Sequence, residues 1–340
     1  SQPSIRGMLS TMLVTLWYVG FILAYTIGTY TSYDRTAYIS LVLSVMYVIP
    51  LYFQPESPYY YVLRNRMRAA VKSLSYYRNL SPMEVASEIR TVEEYVKEEK
   101  DSDSSFLSLF TDPISLRCLF IMEIICITTI FTGLTATYAY ATQIFSKTSQ
   151  GLFSAEDCSI ILSVLFLLMN FIATYLIEKV GRRVLVLISC VGCFVSSLLA
   201  AVYFYISLET RIDVSAYQWV PLAAIGGYCA FVSIGLNPLA TSFQGELFPA
   251  NTRSVASGIT AMSIAILSST CLKIYYLLDT HVGMYMNYLM FTFFAAFGTV
   301  LLYIYMPETK NKTFAQIQRE LNKRYKIDVK EADLLEPINK

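Results

Sequence analysis

Eight long apolar segments constrain the fold of this chain more than any other feature of its sequence. They lie near residues 10–30, 37–54, 114–141, 158–177, 184–206, 217–241, 254–277 and 285–306. A helix rises about 1.5 Å per residue and a bilayer core is about 30 Å thick, so about 20 apolar residues suffice to cross it. Only 15% of the residues are charged, against about 25% in soluble domains. The sequence therefore predicts an all-α membrane protein with eight transmembrane helices, and the lipid bilayer as its first partner.

Lys and Arg residues are distributed unevenly between the two sides of this predicted bundle. If residue 1 lies on the inner side, inner segments hold 22 of the 26, outer loops hold three, and one lies within a span. Positive side chains accumulate on the cytoplasmic side of membrane proteins. The bias predicts that both ends of the chain are cytoplasmic. It also predicts that the glycosylation sequons at Asn79 and Asn311 remain unmodified.

Composition and residue pattern argue against several classes of function. A net charge of +1 offers no positive field for nucleic acid. Six of the seven cysteines lie in apolar segments, where a small buried side chain is the usual role, and we expect this of the Cys190-x-x-Cys193 pair too. The single histidine, His281, has no catalytic or metal-binding partners in the pattern. The chain is predicted to need no metal or cofactor and not to be an enzyme.

The longest polar stretch, residues 55–113, is predicted to be mostly helical. Ser81, Pro82 and Glu84 have the spacing of a helix start, with a cap, a first-turn proline and a capping-box carboxylate. The helix they predict runs to about Lys100 with acidic and basic residues interspersed. We expect a solvated helix on the cytoplasmic face.

Four short motifs follow spans at predicted inner boundaries. They are Pro55-Glu56-Ser57-Pro58, Glu178-Lys179-Val180-Gly181-Arg182-Arg183, Gly245-Glu246-Leu247-Phe248-Pro249 with Arg253, and Pro307-Glu308-Thr309-Lys310. In this order and placement they resemble the sugar porter family of the major facilitator superfamily. The opening Gln2-Pro3-Ser4-Ile5-Arg6-Gly7 is similar to the entrance of that family's fifth helix, especially in insect trehalose and hexose facilitators.

The resemblance implies a major facilitator fold in which the eight transmembrane helices correspond to helices 5–12 of twelve. The first four would then be absent from this sequence, which is expected to be truncated at its N-terminus. The implied division is residues 1–54 for the last two helices of the N-terminal bundle, 55–113 for a cytoplasmic helical linker domain, 114–306 for the C-terminal six-helix bundle, and 307–340 for a cytoplasmic tail.

Carboxylates and guanidinium groups recur together at the predicted inner helix ends. Arg can hold a carboxylate in a bidentate pair, and such pairs can latch two helical bundles and release when the cavity opens inward. The alternative is a positive-inside anchor with no gating role. The predicted cytoplasmic gate consists of Arg6, Glu56, Glu178, Arg182, Arg183, Glu246, Arg253 and Glu308.

A substrate pocket in this fold is expected near the bilayer midplane. By resemblance, the family's sugar-binding Gln, Asn and Trp positions fall largely on apolar or small residues here, among them Val14, Ile130 and Ile264. An unpartnered buried hydroxyl costs about 1–3 kcal/mol, so this divergence favours a smaller or more apolar solute than a hexose. The remaining polar candidates are Thr129, Thr132, Thr135, Tyr138, Tyr140, Asn170, Asn237 and Thr241.

Glu123 is a carboxylate about nine residues inside the third span, on one face with Cys126 and Ile130. Intramembrane carboxylates are costly and face a cavity or a partner. Two interpretations stay open. Glu123 binds a cation or proton from an inner vestibule, or it pairs with an Arg of the cytoplasmic side.

Taken with the resemblance, these patterns predict a multi-pass protein, at the plasma membrane as is usual for the family. It would transport a small-molecule substrate, such as a hexose or trehalose, by alternating access. The alternative is a non-transporting membrane sensor or scaffold that keeps the transporter fold without its ligand chemistry.

Overall fold

The computed structural model describes residues 3–101, 109–110, 113–147, 154–210, 212, 217, 219–248, 250–310, 312 and 316. Within these ranges the regular structure is helical and no β-strand occurs. Most of the predicted tail 307–340, including Asn311, lies outside them. The helices are α1 Pro3–Tyr30, α2 Tyr33–Phe53, α3 Pro58–Leu63, α4 Met67–Arg78, α5 Ala86–Asp101, α6 Pro113–Phe131, α7 Leu134–Ser146, α8 Ala155–Val180, α9 Arg182–Glu209, α10 Trp219–Ile234, α11 Leu236–Leu247, α12 Ala250–His281 and α13 Met284–Tyr305.

Seven helical segments within the described ranges are long and apolar enough to cross a membrane. Two of them join two helices each, α6 with α7 and α10 with α11. The remaining predicted span coincides with α1, whose shorter apolar part is Val14–Tyr30. The chain is thus an all-α, multi-pass membrane protein, and the predicted spans are confirmed as helices.

The chain divides into two compact units. The first comprises residues 1–29, 109–249 and 253–340, and the second comprises residues 30–108 and 250–252. In the first unit α9 packs chiefly against α10 and α13, while α6 packs against α13 and α11. Its core is built from apolar side chains, of which Phe145, Phe243 and Phe248 are among the largest that are fully buried.

Two membrane helices of the first unit are broken near their middle. Gly133, at φ +105°, separates α6 from α7 in a conformation that L side chains rarely adopt. Gly235 separates α10 from α11, and a Cβ there would lie 2.6 Å from the carbonyl oxygen of Leu185. Ser189 of α9 bridges this second break, donating to the carbonyl of Phe231 at 2.6 Å and accepting from the amide of Leu236 at 3.1 Å. The freed backbone groups of α10 and α11 are therefore satisfied by a neighbouring helix, as a membrane interior requires.

The second unit carries the helices predicted for the polar stretch. Helices α3, α4 and α5 enclose a small apolar core that includes Val62, Leu74 and Ile89. The Pro55-Glu56-Ser57-Pro58 motif is fastened to α4, because Ser73 donates to the carbonyl of Glu56 at 2.5 Å and Tyr77 donates to that of Pro55, also at 2.5 Å. Residues 55–101 thus fold on a core of their own.

The capping pattern at Ser81 forms, but the helix begins later than predicted. Glu84 reaches back and accepts from the Ser81 hydroxyl at 2.7 Å and its amide at 2.8 Å, and these bonds lower the pKa of the Glu84 carboxyl. Because the Ser81 hydroxyl donates to Glu84, residues 82–85 form a turn and α5 starts at Ala86. An ion pair between Arg78 and Glu88 joins α4 to α5 and raises the pKa of the Arg78 guanidinium.

Candidate functional site

Five aromatic side chains of the first unit meet where α1 lies against α7 and α8. Tyr18 stacks on Phe166 with ring centroids 5.8 Å apart, and the Tyr138 ring lies 4.9 Å from both Phe166 and Phe21. Tyr25 continues the row, 6.3 Å from Phe21. We call these five residues the aromatic cluster. Tyr18 and Phe166 are each 2% exposed, so the rings themselves fill this part of the interior.

Three hydrogen bonds tie α1 to the elements around the aromatic cluster. The Asn237 amide of α11 donates to the Tyr18 hydroxyl at 2.6 Å. The Tyr25 hydroxyl donates to the carbonyl of Tyr138 in α7 at 2.6 Å. In α8 the Asn170 amide donates to the Thr15 hydroxyl at 3.2 Å. Both predicted asparagines therefore bind protein side chains in this structure.

The predicted threonines line the break between α6 and α7. Thr132 is fully buried and donates to the carbonyl of Thr129 at 3.0 Å, while the Thr129 hydroxyl is buried with no hydrogen-bond partner within the described ranges. Thr135 lies 3.4 Å from the hydroxyl of Ser268 in α12. An unpartnered buried hydroxyl beside a broken helix can take a hydrogen bond from a ligand.

Half-helix α7 is joined to α12 along its length. After the Thr135 contact, Tyr140 stacks on Tyr275 with centroids 4.9 Å apart and planes at 12°. Beyond the end of α7, Lys147 forms an ion pair with both carboxylate oxygens of Asp279, at 2.8 Å and 2.7 Å. Tyr140 therefore belongs to a helix–helix contact.

The predicted pocket residues thus fall into three groups. Tyr138 belongs to the aromatic cluster, and Asn170 and Asn237 lie beside it. Thr129, Thr132 and Thr135 line the break, and Tyr140 faces α12. The side chain of Thr241 lies outside the described residues. The sequence analysis missed Tyr18, Phe21 and Tyr25. These three residues are three and four positions apart on α1, which places them on one helix face. That spacing could have indicated a shared aromatic contact.

At the predicted inner end of the first unit, Glu308 caps a helix. Its carboxylate accepts from the backbone amides of Arg182 at 3.1 Å and Arg183 at 3.2 Å, the first residues of α9, and from that of Lys310 at 3.0 Å. Amides at a helix N-terminus lack intrahelical partners and carry a partial positive charge. The Glu308 carboxylate supplies the acceptor that these amides lack and a negative charge beside the positive helix end.

Three of the predicted gate residues, Arg183, Arg253 and Glu56, contact backbone groups. Arg183 donates to the carbonyl of Tyr303 at 2.6 Å, and Arg253 donates to that of Phe248 at 3.1 Å and 3.3 Å. In the second unit, Glu56 accepts from the amide of Ser57 at 3.0 Å. The described partners of Arg183 and Arg253 are thus backbone carbonyls left over at helix ends, and their pairing with gate carboxylates stays a prediction. The side chains of three further gate residues lie outside the described part of the chain, namely Arg6, Glu178 and Glu246.

Glu123 lies at the wall of a cavity of about 570 Å³ between α6 and α13. Its Oε1 atom is buried and has no hydrogen-bond partner in the described part of the chain, whereas Ser263 of α12 contacts the carboxylate. Glu123 forms no ion pair with any described Arg or Lys. Among the described residues, the contacts of Glu123 thus favour the interpretation in which it faces a cavity, and both interpretations stay predictions.

The described residues form an all-α membrane bundle with two broken helices, the architecture of a multi-pass transporter, and comparisons with known proteins identify its family. The profile of the family described as "Sugar (and other) transporter" matches residues 1–321. The chain belongs to this sugar transporter family, as the motifs predicted.

Two of the relatives are facilitated trehalose transporters Tret1. That of Bombyx mori is 28% identical over 331 residues, covering 94% of this chain and 63% of the relative. That of Drosophila willistoni is 28% identical, covering 94% and 37%. The chain thus spans less than two thirds of the length of these relatives. They are named as transporters, in line with the prediction that the chain is not an enzyme.

Solved structures of the Escherichia coli xylose transporter XylE share the fold. Its inward-open conformation superposes with a TM-score of 0.74 at 17% identity, covering 94% of this chain and 66% of the other. The partially occluded inward-open conformation gives a TM-score of 0.74 at 18% identity, with 92% and 66% covered. These likenesses confirm the predicted major facilitator fold.

Proposed function

We propose that the protein moves a small organic solute across the membrane by alternating access. The observation that carries the proposal is the pair of broken helices, α6/α7 and α10/α11, with the unpartnered Thr129 hydroxyl at one break and Asn237 just beyond the other. Transporters build substrate sites from such discontinuous helices near the midplane. The family and the names of its relatives as transporters support the same proposal.

The proposed pocket comprises the aromatic cluster, the threonines of the α6/α7 break, Asn170 and Asn237. Hexose and trehalose are the first solutes to test, because the relatives are named for trehalose. Tyr18 and Thr15 already hold the two amides, so a polyhydroxylated ligand must displace them. A smaller or less polar solute would find the site easier to enter.

The predicted gate residues form the inner gate of this proposal. Glu308 supports it by bringing two of the motifs, Arg182-Arg183 and Pro307-Glu308, into contact at one helix end. Plasma-membrane placement with both chain ends cytoplasmic is part of the same proposal. It rests on the bias of positive residues.

Uptake of radiolabelled trehalose and glucose tests the proposal. The protein is expressed from its complete coding sequence in transporter-deficient cells, with surface amounts matched. We expect saturable uptake that falls about ten-fold in Asn237→Leu, since one hydrogen bond is worth about 1 kcal/mol or more. Gln143→Leu, which removes an exposed amide of α7, is the matched control and should transport normally.

A membrane sensor or scaffold is the second candidate. The engagement of Asn170 and Asn237 by the protein's own side chains favours it. Absence of uptake for sugars and for a panel of smaller solutes, with the protein at the cell surface, would reject transport in favour of this role.

A further inference from the structure

The cavity beside Glu123 is separate from the aromatic cluster and has no role in the proposed pocket. One residue of α13, Tyr305, and a run of α6 line it. Phe120 and Tyr305 meet edge to face across the two helices, with centroids 5.5 Å apart. Leu116 and Phe120 are 44% and 51% exposed. The cavity is therefore an open, largely apolar recess with an aromatic wall.

Glu123 is the one carboxylate in this lining, and no described Lys or Arg forms an ion pair with it. Its Oε1 atom is buried without a hydrogen-bond partner among the described residues. Ser263 is the polar side chain that contacts it, and a serine hydroxyl supplies one donor only. A carboxylate removed from water without a full set of donors is costly, so Glu123, which lines the recess, favours a hydrogen-bond donor of opposite charge.

Arg117 also lines the cavity but does not supply that charge. It lies six residues before Glu123 on α6, about 9 Å along the axis. No ion pair joins them, and the Glu123 carboxylate has no Lys or Arg partner in the described ranges. Cys126, one turn further along, is a buried thiol and an uncharged neighbour. Among the described residues, Glu123 is therefore a carboxylate without a paired cation.

The size and lining of the cavity narrow the class of ligand. A volume of about 570 Å³ lies in the range of small-molecule sites, about 300–1,000 Å³, and far exceeds what a proton or a metal ion occupies. Among the described residues, no group of three or more His, Cys, Asp and Glu could hold a metal. Aromatic faces attract organic cations, and an apolar wall suits an apolar body.

We propose that this cavity binds a small organic amine, with its ammonium on Glu123 and its apolar body against Phe120 and Tyr305. The site is distinct from the transport pocket. The proposal does not depend on whether the protein transports a sugar.

Calorimetric titration of the purified protein with 2-phenylethylammonium tests this site. Nanodiscs of phosphatidylglycerol are used, because that lipid carries no ammonium group that could compete. The heat from protein-free nanodiscs is subtracted, because the anionic headgroup also attracts the ammonium. The neutral analogue 2-phenylethanol is titrated in parallel. We expect the ammonium to bind at least about ten-fold more tightly, since hydrogen bonds to charged groups are the stronger ones.

Glu123→Gln keeps the side-chain shape and should abolish the preference for the ammonium while leaving binding of 2-phenylethanol unchanged. Phe120→Leu should weaken both ligands. Glu156→Gln, which neutralises an exposed carboxylate at the start of α8, is the control and should behave as wild type. Equal affinity for the two ligands, or an undiminished preference in Glu123→Gln, would overturn the proposal, whatever uptake assays report.

Discussion

Glu308 illustrates how one side chain can join distant parts of the sequence. It lies 126 residues beyond Arg182, whose amide it binds at the start of α9. Nearby, Lys310 donates to the carbonyl of Lys179 at 2.6 Å, which brings the same two motifs together a second time. The junction thus satisfies donors at one helix start and an acceptor at the preceding helix end.

We expect Glu308→Ala to lower the thermal stability of the purified protein. Three backbone amides would lose their acceptor, a loss of about 1–3 kcal/mol for a charged cap. Fluorescence-detected unfolding measures the effect. Glu209→Ala removes an exposed carboxylate at the opposite end of α9 and should shift stability by less than about 0.5 kcal/mol. Equal shifts in the two variants would contradict the capping role.

Sequence reasoning located these residues but not their partners. The motifs place Glu308 and Arg183 at helix boundaries, and the structure confirms that placement. Which group Glu308 binds depends on where α9 begins relative to α13, a tertiary relation that composition and spacing do not encode. For the same reason the Tyr18–Asn237 bond was not foreseen, although both residues lie in predicted spans.

At the scale of helices, the apolar pattern predicts where a membrane span lies but not whether its helix is broken. The third predicted span, 114–141, agrees in place with Pro113–Ser146 but contains the break at Gly133. A break inside an apolar run leaves hydropathy unchanged, so only the glycine marks it. The start of α5 was placed too early because a capping box can form by side-chain contact ahead of the first helical turn.

Close packing of α6 against α13 gives a prediction at this scale. A Cβ at Gly298 would collide with Thr128, which is 2% exposed. Gly298→Ala should therefore destabilise the protein by about 1–3 kcal/mol. At Gly258 of α12 no atom lies within 4 Å of such a Cβ, so Gly258→Ala should be neutral or stabilising by up to about 1 kcal/mol. Thermal unfolding of both variants measures the two effects. Equal stability of Gly298→Ala and Gly258→Ala would contradict the close contact between α6 and α13.

For the whole molecule, the predicted topology can be checked by cysteine labelling. All seven native cysteines are buried, so background labelling should be low. Met83→Cys, at a side chain 91% exposed, should react with a membrane-impermeant maleimide only after the cells are permeabilised. Ile212→Cys, 63% exposed, should react in intact cells. The reverse pattern would invert the orientation predicted from the positive residues.

The three ties between α7 and α12 have a mechanical consequence. A hydroxyl contact, a ring stack and an ion pair lie in succession along one seam, at Ser268, Tyr275 and Asp279 of α12. These three contacts differ in range and in sensitivity to salt. All three must break before α7 can rotate about Gly133 independently of α12. The ion pair at Asp279 is the last of the three contacts along α12. Raising ionic strength loosens that end first, since the Lys147 side chain is half exposed.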